Sequence, residues 1–142
     1  MVFPTKSQIF SKPLDKISHL NDMALFGIYT EKKAKMKPIV DEIARKLRDS
    51  LTDKIEDFEG LYVFGSQIRG DSTEDSDVDI VVLFGKHYYP SHKAYSETIS
   101  NMLYEYHDIL FIDALEYTRE DLQKNFSFYD EVVNKGVFYG AI

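Results

Sequence analysis

The chain reads as an α/β (α+β) domain: a small mixed sheet with helices packed against it. Three observations predict this. Long stretches with apolar residues at helical spacing alternate with short, nearly continuous apolar runs. The element order is helix, helix, strand, strand, helix, strand, helix, helix. The first two strands are joined by a polar arm too long for a hairpin, yet it carries no helix of crossover length.

The elements follow in chain order. Residues 1–13, with Pro4 and Pro13, form an extended lead-in. Leu14, Ile17, Leu20, Ala24, Leu25 and Ile28 recur at helical spacing, and Gly27 and Thr30 mark that helix's end. A second helix is predicted over 37–53, with Pro38 in its first turn, where a missing N–H does no harm. Its buried stripe is Ile39, Val40, Ile43, Ala44, Leu47 and Leu51. Gly60 closes the connection to a strand over 61–64, and a second strand runs over 77–84. His87-Tyr88-Tyr89-Pro90 reads as a loop. The third helix spans 91–106, with Tyr95, Ile99, Met102, Leu103 and Tyr106 inward. The third strand is expected over 108–116. Thr118 with Asp121 resembles a helix start. Ser127 could cap a last helix that stops at Gly136.

At 142 residues and 44% apolar content, one domain with its own core is expected. Residues 1–30 are set apart as an arm and helix that could offer a partner or dimer surface; residues 31–142 form the main domain. There is no cysteine, which excludes disulfides, thiolate catalysis and Cys-ligated zinc. A net charge of −7 disfavours a long nucleic-acid partner. The single positive run, Lys32, Lys33, Lys35 and Lys37, reads as a solvated helix start. No signal peptide and no apolar stretch of membrane-spanning length is present, which predicts a soluble, cytoplasmic protein.

The chemistry is concentrated between Leu61 and Phe84. Gly65-Ser66 ends the first strand, ten residues intervene, and Asp77-Val78-Asp79 opens the second. Asp77 and Asp79 are two apart, so they point to one face of a strand. Two adjacent carboxylates repel unless a cation sits between them. Hard oxygen ligands beside a small-residue turn suit Mg²⁺ carrying a nucleotide phosphate. Gly65 permits close approach because it has no Cβ, and Ser66 offers an N–H and a hydroxyl. A second metal ion would need a third carboxylate from the next strand, either Asp108 or Asp113; spacing alone does not choose. An EF-hand over 71–82 is excluded, since Ser76 and Val82 stand where Gly and Glu are required. The histidines His19, His87, His92 and His107 lack ligand spacing; His107 adjoins Asp108. Tyr88, Tyr89 and Tyr95 could stack on a base, but loop and core packing is the plainer reading.

Gly-Ser, ten residues, then Asp-x-Asp resembles the signature of the DNA polymerase β-like nucleotidyltransferase superfamily. The text from Tyr62 to Asp71 and from Ser76 to Val82 is similar to its free-standing minimal nucleotidyltransferases, including those of antitoxin type. The likeness is specific over 61–84, looser over 106–136, and absent from 1–35. The resemblance implies a polymerase β-like fold and Mg²⁺ held by Asp77, Asp79 and a third carboxylate. It favours Asp108 in that place, with Asp113 as the substitute. It also implies a triphosphate on Gly65 and Ser66, with Arg69 as a further phosphate contact. The implied reaction is attack of an acceptor hydroxyl on the α-phosphorus of a nucleoside triphosphate, moving AMP from ATP. The implied acceptor is a tyrosine of a HEPN-type toxin partner. A non-catalytic, antitoxin-like binding module and a small-molecule nucleotidyltransferase are the alternatives. A homo-oligomer is a further expectation.

Overall fold

The apolar stripe over 39–51 folds into helix α1, Pro38–Lys54, in a computed structural model that describes residues 32–33, 36–86 and 92–142. The lead-in, the helix expected over 14–30 and the loop 87–90 lie outside the described residues. Pro38 occupies the first helical turn, as its fixed φ favours. Val40, Ile43, Ala44, Leu47 and Leu51 are buried, and Ile39 packs at the margin. Each fully buried Val, Ile or Leu among them contributes about 1.5–3 kcal/mol on leaving water, which makes α1 a principal anchor of the core.

Strand β1, Phe58–Phe64, follows, then a single helical turn α2, Ser66–Arg69, and strand β2, Val78–Phe84. Helix α3, His92–Glu105, leads to strand β3, Ile112–Thr118. Two short helices, α4 at Arg119–Gln123 and α5 at Phe126–Tyr129, run into a π-helical turn, Asp130–Asn134, and strand β4, Val137–Gly140. The sheet order is β3-β2-β1-β4. β1 is antiparallel to both β2 and β4, and β2 is parallel to β3, so the sheet is mixed.

Both faces of this sheet are covered. On one face Leu61, Val63, Val78, Ile80, Val82 and Ile112 pack against α1 and α3. On the other Tyr62, Val81, Leu83 and Phe138 meet Leu122, Val132 and Val133. That explains the unbroken run Ile80-Val81-Val82-Leu83, since a central strand buried on both sides needs no polar alternation. Tyr95 packs edge-on against Phe84, ring centroids 5.6 Å apart, and therefore belongs to the core.

Several boundaries moved. β4 was not anticipated: four residues, three of them buried, give too short a pattern to register as a strand. Thr118 caps α4 as expected, accepting from the Asp121 N–H at 3.1 Å. Asn125 rather than Ser127 caps α5, accepting from the Phe128 N–H at 3.1 Å. The Gly136 N–H donates to the Val132 carbonyl at 3.1 Å and ends the π turn. β3 starts four residues later than expected, for a reason given below.

The lysine run is more than a solvated helix start. Lys32 Nζ donates to the Asn134 carbonyl at 2.6 Å, and Lys33 Nζ lies 3.2 Å from Asp41. The Tyr139 hydroxyl also donates to Asp41, at 2.7 Å, which joins α1 to β4. Burial pushes the Asp41 carboxyl up, but Tyr139, Lys33 and Arg45 together hold it below the ordinary carboxylate range. No helix among the described residues is long and apolar enough to cross a membrane.

Candidate active site

The site forms where β1 ends and β2 begins. Gly65 leaves β1 with φ 80° and ψ −149°, a conformation that side-chain-bearing residues rarely adopt. The chain then makes the single turn of α2, closed by the Gly70 N–H donating to the Ser66 carbonyl at 3.1 Å. The polar arm is therefore not solvent-facing throughout: Gln67 and Ile68 of α2 are buried. Phe64 pairs with Asp79 across the β1–β2 ladder, which brings the Gly65 corner against that carboxylate. A Cβ built on Gly65 would stand 2.6 Å from Asp79 Oδ2. Only glycine leaves room there for the carboxylate.

Asp77 immediately precedes β2, and Asp79 is its second residue. In the parallel ladder Asp79 pairs with Asp113. Directly paired residues of neighbouring strands share a face, so Asp79 and Asp113 stand side by side. Burial pushes the Asp79 carboxyl up, and the negative charges of Asp113 and then Asp77 push it further, against a smaller opposing pull from Arg69. Asp79 thus feels both of the other carboxylates at the start of β2.

Asp108 is placed differently. Helical hydrogen bonding runs on past α3, with Ile109 N and Leu110 N both donating to the Tyr106 carbonyl at 2.9 and 3.1 Å. Asp108 therefore lies in a turn and does not open β3. Its side chain is 86% exposed and pairs with His107 Nε2 at 3.1 Å. The structure sets Asp77 and Asp113 within electrostatic reach of Asp79, and Asp108 is not among the charges that act on it. Reading β3 as beginning at residue 108 made the two aspartates look equivalent; with the extra turn after α3, Asp113 lies in β3 opposite Asp79 and Asp108 lies outside the strand.

Arg69 closes one side of the site. Its Nη1 donates to Glu131 Oε1 at 2.9 Å and its Nε to Asp71 Oδ2 at 3.3 Å. It ties α2 to the π turn while remaining half exposed, so contact with an incoming phosphate would require exchange of these partners. Phe64 and Phe128 meet edge-on behind the corner, centroids 5.5 Å apart.

Carboxylate oxygens only, without nitrogen or sulfur donors, are the donor set of a hard cation such as Mg²⁺. Among the described residues, no group of three or more His, Cys, Asp or Glu side chains is arranged to hold a metal ion. Mg²⁺ keeps several waters and is commonly held by one or two carboxylates plus substrate phosphates, so Asp77 and Asp79 are the residues that could hold it. The crowding of Asp79 by Asp77 and Asp113 gives the protein a physical reason to take up positive charge there.

A mixed sheet carrying a glycine-serine corner beside clustered carboxylates defines a domain of the nucleotide-handling transferase class. Residues 44–139 match the nucleotidyltransferase domain family, and the chain belongs to it. A Methanocaldococcus jannaschii protein named "putative protein adenylyltransferase" is 43% identical over 60 residues, 42% of this chain. The chain spans 59% of that relative's length. A Sulfolobus solfataricus crystal structure described as a "putative nucleotidyltransferase" aligns with a TM-score of 0.41 at 18% identity, covering 81% of this chain and 93% of that one.

Proposed function

We propose that this domain is a Mg²⁺-dependent nucleotidyltransferase that moves AMP from ATP to a hydroxyl on a protein acceptor. The observation that carries the reading is the pairing of Asp79 with Asp113 in register, beside the Gly65 corner. Gly65 and Ser66 receive the β- and γ-phosphates. Asp77 and Asp79 are the candidate Mg²⁺ ligands, with Asp113 in the third-carboxylate role first expected of Asp108. When bound, Mg²⁺ would neutralise triphosphate charge and make the acceptor hydroxyl more acidic.

In the reaction, the acceptor oxygen forms a bond to the α-phosphorus as the bond to the α,β-bridging oxygen breaks, and pyrophosphate leaves. In this reading Asp113 takes the hydroxyl proton. Most of the rate enhancement comes from positioning and charge stabilisation. Asp113 lies on an edge strand, with exposed Phe111 and Leu115 two residues to either side. A macromolecular acceptor can therefore approach from solvent. A tyrosine of a HEPN-type toxin is the acceptor this reading favours, and the printed name of the Methanocaldococcus jannaschii relative, a protein adenylyltransferase, is in keeping with a protein acceptor.

The test is incubation with Mg²⁺, α-labelled ATP and a co-encoded partner protein. Label is expected on the partner, and it should disappear with EDTA or with Asp77→Asn. Nucleotide binding without transfer, with the partner present, would favour the non-catalytic module instead.

A further inference from the structure

Among the described residues, Gln67 is the fully buried polar side chain near the site, 1% exposed in a four-residue helix between strand β1 and the polar stretch 70–77. Its amide nitrogen donates to two backbone carbonyls, those of Ser76 and Asp77, each at 3.3 Å. Both acceptors are carbonyls, so the amide must present its NH₂ group to them. Its Oε1 is buried without a hydrogen-bond partner among the described residues. An orphaned buried acceptor costs stability, on the order of 1–3 kcal/mol. An apolar side chain of the same length would avoid that cost, so packing alone does not account for glutamine here.

The arm that Gln67 reaches has few other attachments. Thr73 and Ser76 close a small turn on themselves, Thr73 N donating to Ser76 Oγ at 2.8 Å and Ser76 N to the Thr73 carbonyl at 3.2 Å. Lys37 Nζ donates to the Thr73 carbonyl at 3.2 Å, at the far side of that turn from Asp77. The Val78 N–H donates to the Phe111 carbonyl at 2.9 Å, which fixes the chain only after Asp77. Between that point and the Thr73 turn, the Gln67 amide is the side chain that holds the peptide of Asp77.

We infer that Gln67 is a positioning residue for the cation site: its buried amide fixes the backbone of Ser76 and Asp77 and so sets where the Asp77 carboxylate stands relative to Asp79. The inference rests on the reading of Asp77 as a metal ligand. Groups that orient metal ligands from behind commonly change metal affinity when removed, although they touch no metal themselves.

The test uses Mn²⁺ as the probe, followed by electron paramagnetic resonance in the presence of a non-hydrolysable ATP analogue. Gln67→Met keeps length and burial and removes the donor. Its Mn²⁺ half-saturation concentration is expected to rise roughly ten-fold over wild type. Lys37→Met loosens the same arm away from Asp77 and should leave that concentration unchanged. Equal affinity of wild type and Gln67→Met would overturn the inference, as would an equal loss in Lys37→Met. If circular dichroism shows Gln67→Met to be unfolded, Gln67→Asn, which keeps the amide and shortens its reach, is measured against the same criterion. A wild-type protein that binds no Mn²⁺–nucleotide would instead refute the proposed function on which the inference stands.

Discussion

Asp79→Asn is expected to lower nucleotidyl transfer by roughly three orders of magnitude, since charge stabilisation by a bound metal ion is worth several kcal/mol in the transition state. The same substitution should raise the thermal midpoint of the metal-free protein. Burial and the charges of Asp113 and Asp77 push the Asp79 carboxyl up, so the folded state holds that proton more tightly than the unfolded state. Such a group favours folding as pH falls through its folded-state pKa and opposes folding above it. Asparagine keeps the shape and removes the charge at neutral pH. The midpoint difference between wild type and Asp79→Asn should therefore shrink as pH falls into the acid range, and also when saturating Mg²⁺ and nucleotide are added to wild type. Differential scanning calorimetry across pH, with an assay of label transfer, measures both halves. A variant that is inactive and also less stable than wild type at every pH would show that Asp79 serves the fold rather than the site.

Gly65→Ala should damage fold and site together. Its φ of 80° and ψ of −149° strain any side-chain-bearing residue, and the new methyl would lie 2.6 Å from Asp79 Oδ2. Backbone strain and overpacking of this kind each cost about 1–3 kcal/mol. The carboxylate must also turn away from the methyl, which displaces the candidate metal ligand, so transfer should fall far more than the loss of stability explains. Gly70→Ala is the control. That residue also has a positive φ, 84°, but a methyl there would meet nothing within 4 Å. It should lose about 1–2 kcal/mol of stability from the left-handed backbone and keep most of its transfer activity. Urea denaturation and initial-rate assays on the two variants separate the effects. Equal loss of activity in both would mean that the Asp79 contact is irrelevant.

Much of the fold was legible because its elements carry local signals. α1 shows an apolar stripe with proline in its first turn. β2 shows four consecutive apolar residues, as a strand covered on both faces must. Thr118 shows a capping pair with Asp121. What stayed hidden depends on tertiary context. β4 is four residues long and owes its place to pairing with β1. The extra turn after α3 displaces the start of β3 and with it the face on which Asp108 would have stood. The neighbour of Asp79 is fixed by parallel register, a property of two strands that neither strand's sequence contains. Gln67 sat in an arm that looked wholly polar; its burial follows from Gly65 and Gly70, whose positive φ values turn the intervening residues into a helical turn.

The central proposal is that Asp77, Asp79 and Asp113 act at one site beside the Gly65-Ser66 corner. Diffraction from crystals grown with Mn²⁺ and a non-hydrolysable ATP analogue, collected for the manganese anomalous signal, tests it most directly. The account predicts manganese between the Asp77 and Asp79 carboxylates, triphosphate against Gly65 and Ser66, and Asp113 within reach of the α-phosphate. Manganese at Asp108, or a triphosphate bound away from the glycine-serine corner, would contradict it.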